Sequence, residues 1–165
     1  MQITKRFEYP ASPADVSIMV SDLAFQAKKC EATHPITHRE SVTPKGDQTE
    51  IITSRDLSTD AFTDMLKSMV GPKIRVTETY MWSPAGPDGS RTGTIEVAIG
   101  DGSLPVGMKG TVSLRPGGAG SVITIDGDLK ARVPLLGGKI EKSAEPWIID
   151  AIDKEHEVGL AWLAG

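Results

Sequence analysis

The ionisable side chains that fall among apolar neighbours are the first places to look for chemistry. Glu78 stands two residues from Val76 and two from Tyr80, so on an extended strand all three project from one face. His38 and Glu40 share a parity with Ile36 and Val42 in the same way. A carboxylate or imidazole on a buried face needs a partner. Such groups could converge in a pocket as general acid and base or anchor a ligand; at a strand end or sheet edge they would simply be solvated. Other reactive groups offer less. His34 and His38 lie on one face of an extended strand but roughly 13 Å apart, too far to share an ion. His156 lies between Glu155 and Glu157, and adjacent residues on a helix point apart. No metal site and no cofactor is expected from these spacings. Cys30 follows Lys28 and Lys29, which would lower a thiol pKa if it were exposed; buried, it is inert. No G-x-S-x-G occurs. Gly117-Gly118-Ala119-Gly120 reads as a hairpin turn, so it lacks the helix N-terminus that a phosphate loop requires.

Composition narrows the partners. The 165 residues carry a net charge of −4, with no basic run longer than the pairs Lys5-Arg6 and Lys28-Lys29. Nucleic acid binding rests on clustered cations and is not expected. No stretch approaches the ~18 apolar residues of a membrane span, and the alternating, charged N-terminus is unlike a signal peptide, so neither integral membrane association nor secretion is expected. A lone cysteine fits a cytoplasmic setting. The length suits one domain over residues 1–165 with a core large enough to need no disulfide. A homodimer stays open.

The elements that must position Glu78 and its neighbours follow from periodicity. Ile3, Phe7 and Tyr9 alternate with Thr4, Arg6 and Glu8 in a first strand that Pro10 ends. Ser12-Pro13-Ala14-Asp15 is a helix start, and Ser21 or Asp22 begins a second short helix to Ala32. Pro35 to Thr43 and Thr49 to Asp56 read as a hairpin. Leu57 to Gly71 is helical or irregular, with Phe62, Met65, Leu66, Met69 and Val70 at helical spacing. Strands are expected over Lys73–Ser83, Arg91–Ile99, Val106–Arg115 and Ser121–Val133, each with one apolar face. From Pro134 onward the period changes: Leu136, Ile140, Ala144, Trp147, Ile148, Ala151, Ile152, Glu155, Gly159 and Trp162 fall mostly on one helical stripe. Pro146 falls inside it and predicts a kink or break near Ser143 to Glu145. Trp147 is expected to be buried against the sheet.

This is an α+β order: a strand, two short helices, a run of antiparallel strands, and one long terminal helix. It resembles the helix-grip fold of the START-like (SRPBCC) superfamily, in which a curved antiparallel sheet of six to seven strands wraps a long C-terminal helix. The run Val133-Pro134-Leu135-Leu136-Gly137-Gly138-Lys139-Ile140-Glu141-Lys142, leading into a helix that ends Gly159-Leu160-Ala161-Trp162-Leu163, is similar to an uncharacterised actinobacterial family of that superfamily. The resemblance implies an apolar cavity between sheet and helix that binds a small hydrophobic ligand, such as a lipid or polyketide. Alternatives it leaves open are a cyclase or hydratase acting in that cavity, or a co-chaperone-like interaction domain. On this reading the ligand contacts are Tyr80, Val97, Met108, Val112, Ile123 and Ile125 on the strands, facing Ile148 and Ile152, with Glu78 as polar anchor. Phe62, Met65 and Met69 supply a wall or lid, Met being adaptable. No catalytic residue is assigned.

Overall fold

The computed structural model describes residues 1–102 and 104–165. The chain begins with strand β1 (Gln2–Tyr9), then helices α1 (Pro13–Val20) and α2 (Leu23–Glu31). Strands β2 (Thr37–Lys45) and β3 (Gln48–Ser58) precede the short helix α3 (Asp64–Val70). Strands β4 (Lys73–Trp82), β5 (Arg91–Ile99), β6 (Val106–Gly117) and β7 (Gly120–Ala131) lead into helix α4 (Gly137–Leu163). The strands form one seven-stranded antiparallel sheet in the order β1-β7-β6-β5-β4-β3-β2. Every neighbour from β2 to β7 is therefore a sequence neighbour, and β1 closes against β7. The expected helix-grip architecture is the observed one.

Local chemistry sets the boundaries. The Ser12 hydroxyl accepts from the Asp15 N–H at 3.2 Å and Pro13 opens α1. The Asp22 carboxylate accepts from the N–H groups of Ala24 and Phe25 and so starts α2. Thr63 caps α3, and Gly71 ends it at φ +79°, a conformation that disfavours side chains. The hydroxyl of fully buried Thr59 donates to the Gly71 carbonyl at 2.5 Å, and its N–H donates to the Pro72 carbonyl at 3.1 Å. These two bonds cinch the ends of the β3–α3–β4 excursion. At the sheet's centre Gly110 pairs with Gly127; a Cβ on Gly110 would lie 2.0 Å from the Asp126 carbonyl, so this close approach requires glycine.

Helix α4 lies in the concavity of the sheet, packed on β1, β7 and α2. Its buried positions are Ile140, Ala144, Ile148, Ile152, Glu155 and Gly159, spaced by four, four, four, three and four residues. Two expectations need correction. The helix is not broken at Pro146: it runs unbroken from Gly137 to Leu163. Lys142 and Pro146 both lie on the exposed side of the helix, where solvent can reach a carbonyl left without a partner, while Ala144 and Ile148 are buried on either side. Trp147 is not in the core. It is 41% exposed, because its neighbour Ile148 takes the central position of the stripe and turns it to the flank.

Candidate ligand-binding cavity

Between α4 and the sheet the interior is filled unevenly. Tyr9, Phe25, Tyr80, Trp82 and Leu114 are all nearly inaccessible and pack where α1, α2 and the C-terminal turns of α4 meet the sheet. Near the start of α4 the same two layers enclose a cavity of about 200 Å³. Its walls are Val76, Ile95, Val97, Ile99, Val106 and Met108 from β4 to β6, and Ile140, Ala144, Ile148 and Ile152 from α4. Phe62, Leu66 and Val70, from α3 and the segment before it, close one side. The Phe62 ring lies 4.9 Å from that of Trp147, centroid to centroid, so the flank of α4 and the α3 segment meet over the cavity. Asp150 and Lys154 form an ion pair at 2.7 Å on the helix edge of the lining.

Polar groups converge on one end of this space. Glu78 on β4 and Arg55 on β3 line it, together with Thr33 and His34 after α2. Glu78 accepts a hydrogen bond from the Lys29 ammonium and lies 3.6 Å from Arg55 Nη2. Lys29 Nζ also lies 3.4 Å from Glu155 of α4 and 5.2 Å from the centroid of the Tyr80 ring. All four charged residues are buried. Two cations and two carboxylates compensate one another, which is the condition for burying any of them. Burial alone would raise the Glu78 carboxyl, but Lys29 and Arg55 outweigh it and hold its pKa below the usual range. Burial raises Glu155, Lys29 opposes this, and the neighbouring Glu78 charge adds to the rise, so Glu155 is the carboxyl that protonates first. Burial lowers Lys29, while Glu155 and Glu78 more than offset it and keep the ammonium charged. Arg55 Nε has no hydrogen-bond partner among the described residues.

Of the residues expected at a ligand site, Glu78, Val97, Met108, Ile148, Ile152 and Phe62 surround this cavity. Tyr80, Val112 and Ile123 do not; they border a void of only about 10 Å³ in the packed half. Ile125 is 1% exposed and belongs to the solid core. Met65 and Met69 are half-buried against the core and are not among the lining residues, to which α3 contributes Leu66 and Val70. The inward parity of each strand matches the alternation in sequence, but parity does not say which end of a strand meets empty space. Three members of the charged cluster lie outside the residues expected from sequence. Arg55 shares its face with Ile51 and Thr53, Lys29 lies one turn after Phe25, and Glu155 falls on the α4 stripe; these offsets are the available signal. His38 and Glu40 lie at the β2 edge and contact each other rather than the cavity.

A curved seven-stranded sheet gripping a terminal helix, with a cavity between them, defines the helix-grip class of fold. Within that class the chain belongs to the DUF2505 family, described as proteins of unknown function, which it matches over residues 4–163. No curated protein matches it in sequence. Solved structures with the same fold include a protein of Thermus thermophilus, 16% identical, with a TM-score of 0.60 over 98% of each chain. The STAR-related lipid transfer protein of Xanthomonas axonopodis is 12% identical and gives 0.62 over 99% of this chain and 86% of that one. The di-domain ARO/CYC StfQ of the steffimycin biosynthetic pathway is 10% identical and gives 0.61 over 97% of this chain and 50% of StfQ. At these identities the likeness is one of fold.

Proposed function

We propose that this protein binds a small amphipathic molecule between α4 and the sheet, as a carrier or sensor, without transforming it. The observation that carries this reading is the apolar cavity of about 200 Å³ with its polar groups gathered at one end. Its volume exceeds the ~150 Å³ engineered cavity that stays dry and takes up benzene, and falls below the roughly 300–1,000 Å³ of drug-sized sites. The fitting ligand therefore has an apolar body of one or two rings or a short chain. Its head accepts hydrogen bonds, a carboxylate or carbonyl, because the Arg55 side chain is among the residues lining the cavity where the apolar walls stop. One protein of the same fold is named for lipid transfer, which supports an apolar ligand, and another is an ARO/CYC di-domain of a biosynthetic pathway. A cyclase-type reaction is the weaker reading here. A general base must be free to take a proton, and Glu78 is held ionised by two cations that already occupy its oxygens.

Binding is tested by titrating the protein with an aromatic sulfonate probe (ANS), followed by its own fluorescence, and with a panel of short-chain fatty and aromatic carboxylic acids, followed by displacement of the probe. Val97→Phe places a ring in the cavity, where unfilled volume spares it the usual 1–3 kcal/mol cost of overpacking. The variant is expected to keep its denaturation midpoint and to lose binding at least tenfold. Failure of the wild type to bind any member, or equal binding by Val97→Phe, would overturn the proposal. Native mass spectrometry of protein purified from its own host identifies the resident ligand where binding is found.

A further inference from the structure

A second constellation lies outside the cavity, where the end of α2 covers the edge strand β2. Cys30 projects from the last turn of α2, and His38 and Glu40 project from one face of β2. The thiol sulfur, one imidazole nitrogen and one carboxylate oxygen all lie within 4.8 Å of one another. His38 Nδ1 is in direct contact with Glu40 Oε1, while Nε2 faces Glu31 Oε1 at 3.8 Å. Cys30 is fully buried, whereas the side chains of His38 and Glu40 retain 27% and 12% of their exposure, so a solvated ion has a way in.

We infer that Cys30, His38 and Glu40 form a binding site for a single divalent ion of the zinc class. One sulfur, one nitrogen and one oxygen donor suit a borderline-soft cation and fit poorly with magnesium or calcium, which require oxygen. Ligand atoms bound at roughly 2.0–2.3 Å in a tetrahedron stand about 3.5 Å apart. Occupancy therefore separates His38 from Glu40 slightly and draws the Cys30 sulfur in by about 1 Å, within side-chain rotation. With Nδ1 as the ligand, the remaining ring N–H faces Glu31 Oε1 at 3.8 Å, and closing that gap would give the usual outer support of a metal-bound histidine. Thiolate, carboxylate and a doubly charged ion sum to zero. Burial pushes the Cys30 thiol up to about 11, with the Arg55 and Lys29 charges opposing it, so the ion must displace the thiol proton to solvent as it binds. Three protein ligands leave a fourth position for water on the solvent side. The ion would fasten α2 to the sheet's unpaired edge, between residues that neither sequence run brings together.

The test uses tag-free full-length protein stripped with chelator and titrated with Co²⁺. Because Cys30 is the only cysteine, a sulfur-to-cobalt charge-transfer band reports this site alone. One equivalent is expected to develop that band together with the visible bands of four-coordinate cobalt, and Zn²⁺ is expected to displace it. His38→Gln should weaken binding at least about 100-fold, and exposed Glu31→Gln about 10–100-fold with the spectrum retained. Cys30→Ser should abolish the charge-transfer band; circular dichroism checks that each variant is folded. A wild type with no charge-transfer band, or cobalt affinity unmoved by both His38→Gln and Glu31→Gln, would overturn the inference.

Discussion

The two ends of the space beneath α4 are built from the same sheet and the same helix, yet one is solid and the other hollow. In the packed end, aromatic rings from three directions interlock: Phe7 meets Tyr9 edge-on at 5.6 Å, Tyr80 stacks on Trp82 at 6.1 Å, and Phe25 meets Trp162 at 5.8 Å. Helix and sheet approach so closely that Gly159 has no room for a Cβ; it would lie 2.4 Å from the Tyr9 hydroxyl. In the hollow end the strands line the space with the branched aliphatics Val97, Ile99 and Val106 and with Met108, and no aromatic ring from the sheet fills it. Side-chain length, with one glycine as the pivot, decides where α4 touches and where it bridges. The buried Lys29–Arg55–Glu78–Glu155 cluster stands at the border between the two.

Breaking that border should produce the largest effect. Glu78→Ala leaves the Lys29 and Arg55 cations buried with only Glu155 between them. Removing one partner of a buried ion network costs about 3–5 kcal/mol. Chemical denaturation at neutral pH should show this loss; less than 1 kcal/mol would mean that water already reaches the cluster and that the border is open.

The closeness of the packed end is tested within α4 itself. Gly159→Ala adds a methyl group where Tyr9 stands, and Tyr9 also donates a hydrogen bond of 3.4 Å to the Glu155 carbonyl. Overpacking of this kind costs about 1–3 kcal/mol. Gly138→Ala, in the same helix with nothing within 4 Å of its new Cβ, should instead stabilise by about 0.5–1 kcal/mol. Opposite signs for one substitution at two helical glycines are the expected outcome. Equal signs would show that helix propensity, and not contact with Tyr9, governs both sites.

Much of this can be read from residue order. Alternation along Ile74–Trp82, Arg91–Ile99 and Val106–Arg115 places the strands to within a few residues, and the shift to a 3.6-residue period after Pro134 places α4. Glu78 is legible because an acid on an apolar parity is rare. Arg55 and Lys29 are not, because Arg and Lys on a face are ordinarily solvated; their burial depends on a carboxylate delivered by another strand. Which end is hollow lies beyond reach, since it depends on the depth of the sheet's curve and on Gly159, whose role is apparent only when Tyr9 lies across from it. Trp147 illustrates the same limit. Its spacing puts it at the margin of the stripe, and only the position of α3 decides which side it joins.

Alkali distinguishes the two ends chemically. Both tyrosines of the chain, Tyr9 and Tyr80, lie in the packed end. Burial, with the Glu155 charge adding to it, raises both phenols above the ordinary value of 10.0. A group whose pKa is raised on folding contributes its stability fully below the unfolded value and loses it as pH rises toward the folded one. Stability should therefore hold up to about pH 10 as far as the phenols are concerned, then fall by about 1.4 kcal/mol per pH unit for each tyrosine. Tyr80→Phe should remove one such contribution and make the decline shallower in denaturant titrations above pH 10. An unchanged slope would mean that the packed end admits water before its tyrosines ionise.

The smallest effect on stability belongs to the hollow end, and it is the most informative about function. Trp147 is 41% exposed and rests mainly on Phe62, so its removal deletes one tilted ring pair and partial burial, not a core anchor. Trp147→Ala should cost about 0.5–1.5 kcal/mol, the range of an aromatic pair, well short of the roughly 3–5 kcal/mol of a fully buried tryptophan. The same substitution removes the contact by which the α3 segment meets α4 above the cavity. The Thr59 bonds to Gly71 and Pro72 still tether that segment at its base, so it should loosen without detaching. Hydrogen exchange in Asp64–Val70 should accelerate while that of β4 to β7 is unchanged, and dissociation of a bound probe should become faster. A stability loss above 3 kcal/mol, or protection lost throughout the sheet, would show that this end is packed as firmly as the other, and that the flank of α4 is part of the core and not the rim of an entrance.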